Sequence, residues 1–315
     1  MNRKERRAAD KKRGESARKS GAPAFDMTGV SIADLAAEAS RLRRMGRVNE
    51  AQDVCRQILA RDPAHVQSLN LLGLMAQASG DHRAAVKMLA KAIAADDLNT
   101  ACYYNIGNSY QALGQRAKAV AHFHKALALG MDEKAVSFIL QSPVIATYVA
   151  RIAGKWPLTI ATAELFGADS VTPMANDLFL CAALEAATLT SVQLEGLLGY
   201  ARAELLRLCG QGGDNGEADD DIVAFACALA RQCFINEYVY APAEEESERA
   251  NALRDRLLQD LASVSAIAPL ALAVVAAYFP LHTMPAAERI LRRDWPAAVD
   301  GLLRVERCYG FEVSI

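Results

Sequence analysis

The sequence predicts an all-α protein, a solenoid of stacked helix-turn-helix repeats followed by a second helical domain. Three observations carry this prediction. Gly46, Gly80 and Gly114 stand 34 residues apart in one register, a period that marks stacked helical pairs. Between them large apolar residues recur three or four apart, which lays a single stripe along a helix. Alanine and leucine dominate a chain of 315 residues that is 52% hydrophobic, and long β-branched alternations are absent.

Taken in order, residues 1–25 form a basic tail with nine Lys or Arg among the first twenty residues against Glu5, Asp10 and Glu15. Without an apolar stretch it does not resemble a secretory signal. A short charged run of this kind is expected to be disordered and solvated, with weak contact to nucleic acid or anionic lipid as its functional alternative. The net charge of −2 gives no wider reason to expect a nucleic-acid partner.

Residues 26–133 hold the repeats. In the glycine register recur Ala51, Ala85 and Ala119, then Leu59, Ile93 and Leu127, then Leu35, Leu69 and Tyr103, and the pair Gly73 and Gly107. In the third unit Tyr103, Ile106, Tyr110 and Leu113 stripe one helix, Gly114 ends it, and a second helix is predicted from Arg116 to Leu129. Gly107 and Ala119 are small where the two helices cross. Neither helix can hide its apolar face alone, so stacking completes the burial.

The set Tyr103, Ile106, Gly107, Tyr110, Ala119, Phe123 and Ala126 resembles the tetratricopeptide repeat in spacing and residue type. The preceding unit repeats it with Leu69, Leu72, Gly73, Ala85, Leu89 and Ala92. The first keeps Leu35, Ala39, Leu42, Ala51, Ile58 and Pro63, with Glu38 where the family has an apolar residue. The resemblance implies a scaffold that holds a protein or peptide partner in a concave groove lined by the first helix of each unit. Positions flanking the packing stripe there are Asn70, Gln77, Tyr104, Asn105, Asn108 and Gln111. Amide side chains suit an extended peptide because each offers both a donor and an acceptor. Relatives that clamp a terminal carboxylate use positions occupied here by Ala36, Ser40 and Leu71, so no such clamp is expected.

From residue 134 to 305 the period is lost but helices continue, predicted at Lys134–Ala153, Ala175–Ala187, Ser191–Cys209, Asp221–Tyr240, Ala243–Ser263, Ala268–Tyr278 and Trp295–Arg304. The apolar run from Ile267 to Phe279 is shorter than the roughly 20 residues that span a bilayer, so it is expected to be a buried helix and no membrane partner is expected. Seven scattered cysteines read as reduced core thiols in a cytoplasmic compartment.

Motifs for chemistry are thin. Residues 205–216, LLRLCGQGGDNG, hold a glycine-rich segment, but a nucleotide loop needs a strand before it. Here Leu194, Leu197, Leu198, Ala201, Leu205 and Leu208 show helical spacing, and a linker is predicted. His122 and His124 point to different helix faces, and Cys227 and Cys233 are poorly spaced as ligands. No catalytic, cofactor or metal site is predicted.

Residues 228–240, ALARQCFINEYVY, together with the opening MNRKERRA and the repeats, resemble a bacterial family in which a tetratricopeptide array and a helical region precede a class I S-adenosylmethionine-dependent methyltransferase domain. The resemblance implies the N-terminal recognition part of such an enzyme. The family's catalytic part begins about where these residues stop, and 306–315 read as the irregular end of a fragment or a frame-shifted product. The purified chain is therefore expected to give no heat of binding with adenosylmethionine in calorimetry, and saturable micromolar binding would overturn that expectation.

Overall fold

A computed structural model describes residues 30–156, 158–211, 219–236, 242–263, 265–285 and 287–306, and among them no strand occurs. The helices are α1 Ile32–Arg44, α2 Val48–Arg61, α3 Val66–Ala78, α4 His82–Ala95, α5 Thr100–Ala112 and α6 Arg116–Ala126. They continue as α7 Asp132–Gln141, α8 Pro143–Lys155, α9 Thr162–Phe166, α10 Thr172–Ala175, α11 Leu178–Ala186 and α12 Val192–Gln211. The last are α13 Asp220–Ile235, α14 Glu244–Ala262, α15 Pro269–Ala276, α16 Ala287–Leu291 and α17 Ala297–Glu306. The chain parts into two compact units, residues 1–71 and 72–315, with the division inside α3.

In the first unit Leu35, Ala36, Ala39 and Leu42 of α1 and Ala51, Cys55 and Ile58 of α2 are buried. The Ser31 hydroxyl caps α1 by accepting from the Asp34 amide at 3.1 Å. Arg61 Nη1 donates to the Val30 carbonyl at 2.7 Å and fixes the entry to the hairpin.

The spaced glycines do the same local work in both units. Gly46, Gly80 and Gly114 have φ of +75°, +80° and +69°. The next residue returns a backbone bond across the helix end, from Arg47 to Leu42, Asp81 to Ala76 and Gln115 to Tyr110, each at 2.9 Å. This left-handed closure ends the first helix of a pair without a penalty for Cβ.

Gly107 has a different role. A Cβ there would stand 2.5 Å from Cε1 and 2.7 Å from Cδ1 of the fully buried Phe123 ring. The close approach of α5 and α6 anticipated at Gly107 is thus a glycine backbone against the Phe123 ring.

In the second unit one continuous core runs from Ala119 in α6 to Leu303 in α17, so the last helix of the third repeat and the later helices share an interior. At its centre is α11, in which Leu178 through Leu184 are all buried. It packs against α6, α7 and α13, and α13 in turn against α15 and α17. A helix apolar all round must be enclosed in this way.

Helix ends differ from expectation where proline or a cap intervenes. The single helix expected over Lys134–Ala153 is two, broken at Ser142 (ψ 128°) because Pro143 disfavours helical geometry before it. Helix α6 passes through a π turn, Leu127–Met131, with Gly130 at φ 95°. Asp177 divides α10 from α11, its Oδ1 accepting from the Leu180 amide at 3.0 Å. The helix expected over Asp221–Tyr240 ends at Ile235, and Tyr238 and Tyr240 lie outside the described residues, as do 1–29, 212–218 and 307–315. The apolar stretch near Ile267 does form the buried α15.

Gln232, Arg202 and Glu204, polar side chains buried in the second unit, find partners within the fold. Gln232 is fully buried; with its amide oriented to suit both ends, Nε2 donates to the Ala187 and Leu184 carbonyls at 2.9 and 3.1 Å while Oε1 accepts from the Leu189 amide at 3.1 Å. Arg202 and Glu246 pair at 3.1 Å, and the Tyr278 hydroxyl donates to Glu246 Oε1 at 2.5 Å. Glu204, also fully buried, accepts from Arg207 at 2.6 and 2.7 Å and from Ser170 Oγ at 2.7 Å. Ser170 has φ 52°, in the left-handed region. Burial works against the Glu204 carboxylate, but the Arg207, Ser170 and Thr162 hydrogen bonds and the Arg207 charge outweigh it and hold its pKa below the ordinary value.

Cys55, Cys102, Cys181, Cys209, Cys227 and Cys233 are free thiols. Burial pushes Cys55 and Cys102 up to about 11 and the other four up to about 12. Among the described residues no single helix is long and apolar enough to cross a membrane.

Two stability tests follow from this packing. Gly107→Ala drives a methyl into the Phe123 ring and should cost about 1–3 kcal/mol; an unchanged melting temperature would contradict the close approach. The depressed Glu204 pKa stabilises the fold above the carboxylate's ordinary value of 4.5, and that contribution is lost as pH falls through the lower folded-state value. Glu204→Gln should flatten this acid limb in pH-dependent denaturation, and an unaltered limb would assign it to other carboxylates.

Candidate peptide-binding groove

Helix α5 begins where the Asn99 side chain accepts from the Cys102 amide at 3.2 Å. Cys102, Asn105, Ile106 and Ser109 turn inward and are buried. Tyr104, Asn108 and Gln111, spaced four and three apart, lie together on the next stripe and are half-buried.

These three line a cavity of about 430 Å³. Its other walls come from helices beyond the repeats: Phe138 and Gln141 of α7, Pro143 of α8, and Asp177 and Phe179 at the start of α11. Tyr104 packs among aromatic rings, 4.9 Å from Phe138, 4.9 Å from Phe179 in an edge-on contact and 5.9 Å from Phe123. Phe179 also meets Phe123 at 5.4 Å. Burial raises the Tyr104 pKa, the Asp177 charge adds to the effect, and a hydrogen bond with Asn108 opposes it. The phenol therefore stays protonated and serves as a hydrogen-bonding group.

The wall is tied together across the chain. Gln111 Nε2 donates to the Asn176 carbonyl at 3.2 Å. Ser142 Oγ donates to Asp177 Oδ2 at 2.8 Å, joining the α7–α8 break to the α11 cap. Arg116 Nη2 donates to the Ala175 carbonyl at 3.1 Å while its Nη1 pairs with Asp221 at 2.9 Å.

Of the six positions picked out in the sequence, Tyr104, Asn108 and Gln111 come together here. Asn105 is a correction: it is 9% exposed, because one residue further along α5 turns the side chain by about 100° toward the neighbouring helix. Gln77 is used inside the fold, its Nε2 donating to the Asn105 carbonyl at 2.6 Å and to Ser109 Oγ at 2.7 Å. Asn70 belongs to the other compact unit. The first helix of the third repeat is partly covered at Tyr104 by Phe179. Sequence reasoning missed Phe138, Asp177 and Phe179; the readable signal was Asp177 directly before an apolar run, a helix-start pattern.

A second cavity, of about 490 Å³, is lined by His124, Leu127, Gly130, Asp132 and Ala186, and His124 Nε2 lies 3.0 Å from Glu185. His122 instead meets the Lys118 carbonyl through Nδ1 at 2.7 Å, so the two histidines do diverge. Among the described residues no group of three or more His, Cys, Asp or Glu could hold a metal ion. The segment before the glycine-rich stretch is helical to residue 211, and 212–218 lie outside the described residues.

Comparison with known families agrees with the repeats. Residues 66–97 and 100–132 each match a tetratricopeptide repeat model. No curated protein gives a significant match to the chain. The chain thus carries tetratricopeptide repeats in an all-α helical repeat fold, and these matches do not extend to the methyltransferase resemblance.

Proposed function

We propose that this chain is an interaction scaffold that holds an extended segment of a protein partner at the edge of its third repeat. Tetratricopeptide repeats generally mediate protein–protein interaction. The observation that carries the proposal is the stripe of Tyr104, Asn108 and Gln111 opening into a cavity of about 430 Å³ with aromatic walls. Amides at its rim can meet peptide N–H and C=O groups, and the rings offer apolar area at low entropic cost.

A finer role as the recognition part of an S-adenosylmethionine-dependent methyltransferase is supported by the sequence resemblance, in which the same groove would select the protein to be modified. Placement in the cytoplasm is supported by the free, burial-shielded thiols.

Peptides selected from a random displayed library against the full chain provide the test. Asn108→Ala removes neutral hydrogen bonds worth about 0.5–1.5 kcal/mol each, so affinity for the tightest peptide should fall by up to about tenfold. Asn105→Ala should lower the melting temperature and leave affinity nearly unchanged. Equal affinity for wild type and Asn108→Ala would place the binding surface elsewhere.

A further inference from the structure

We propose that the groove takes a lysine or arginine side chain of the bound segment, with Asp177 as the group that selects it. This rests on the groove being the binding site and goes further in stating what chemistry it prefers.

Asp177 is a half-buried carboxylate on the cavity wall. Its two described partners are neutral: the Leu180 amide on Oδ1 at 3.0 Å and the Ser142 hydroxyl on Oδ2 at 2.8 Å. Among the described residues no cation lies within ion-pair distance of it. Arg116, whose guanidinium reaches Ala175 two residues away, is committed to Asp221 at 2.9 Å. A carboxylate offers about four acceptor directions and two are used, so charge and lone pairs both remain for a ligand. Leaving a partly desolvated charge without a counter-charge is unfavourable, and an arriving cation relieves it.

The rest of the wall fits the same occupant. Tyr104 and Phe138, 4.9 Å apart and each only partly buried, present aromatic surface beside the carboxylate. Aromatic faces attract ammonium and guanidinium groups, and the aliphatic stem of a long basic side chain covers apolar surface while its head stays polar. Asn108, Gln111 and Gln141 stand at the same cavity as neutral amides able to hold the peptide backbone. An acidic side chain would meet Asp177 with like charge, and a plain aliphatic one would leave the carboxylate unanswered.

The experiment uses the full chain and two probes that share a backbone and a four-carbon stem, N-acetyl-lysine N-methylamide and N-acetyl-norleucine N-methylamide. Each is titrated while the ring and amide NMR signals of Tyr104, Phe138, Phe179 and Asn108 are followed. The lysine probe should bind about tenfold more tightly, a ratio that corresponds to about 1.4 kcal/mol, and added salt should weaken it alone. Asp177→Asn keeps a side chain that caps helices as well as aspartate does, so α11 should persist in a thermal melt while the two probes become equal to within about twofold. Asn108→Ala should weaken both probes alike. Equal binding of the probes to wild type, with shifts at the groove, would overturn the cation preference and leave the groove standing. A lysine preference that survives Asp177→Asn would overturn the role of Asp177. No shift with either probe would overturn both the preference and the groove.

Discussion

The enclosure of α11 is the constraint on which the second unit depends. Its residues from Leu178 to Leu184 are all buried, and a helix of nine residues is far too short to hold together in water by itself. Its order comes from its neighbours: α6 of the third repeat, α7 beyond the π turn and α13. The polar ends of so apolar a segment must also be answered from within. Asp177 takes the amide of Leu180 at one end, and Gln232, reaching from α13, takes the carbonyls of Leu184 and Ala187 at the other. Remove either end and an unsatisfied backbone group is stranded in the core, which is a costly state.

Helix α11 also reaches the first helix of the third repeat, through Phe179. Phe179 lies edge-on to Tyr104 and meets Phe123, so part of the groove's apolar floor is already covered by the chain. What is left is a shorter recess whose chemistry is mixed: amides from a repeat helix on one side, a carboxylate and a proline-broken helix pair on the other. The recess is walled as much by residues after the repeats as by the repeats themselves.

Local features were legible in the sequence and relational ones were not. The 34-residue glycine period encodes a left-handed closure that needs only its own helix end, so it survives folding unchanged. Gly107 was legible for a similar reason, since its partner Phe123 sits in the adjoining helix of the same pair. Asn105 and Asn108 look alike in sequence, yet one is buried and the other lines the recess; the difference depends on helix rotation relative to neighbours. Helix breaks at Ser142 and Asp177 had the right local signals in Pro143 and in the polar-to-apolar step. Their meeting through a hydrogen bond of 2.8 Å, which builds the far wall, is a long-range outcome that no periodicity records.

The shielded thiols give the molecule an internal clock of its own opening. With pKa values pushed up to about 11 or 12, almost none of the reactive thiolate exists near neutrality, and an alkylating reagent must wait for the protein to expose a cysteine. Cys55 lies in the first compact unit, whereas Cys181, Cys227 and Cys233 lie in the second. Their separate labelling rates therefore resolve how often each unit breathes, and the rates at Cys181 and Cys227 register directly the release of α11 and α13 from the shared core.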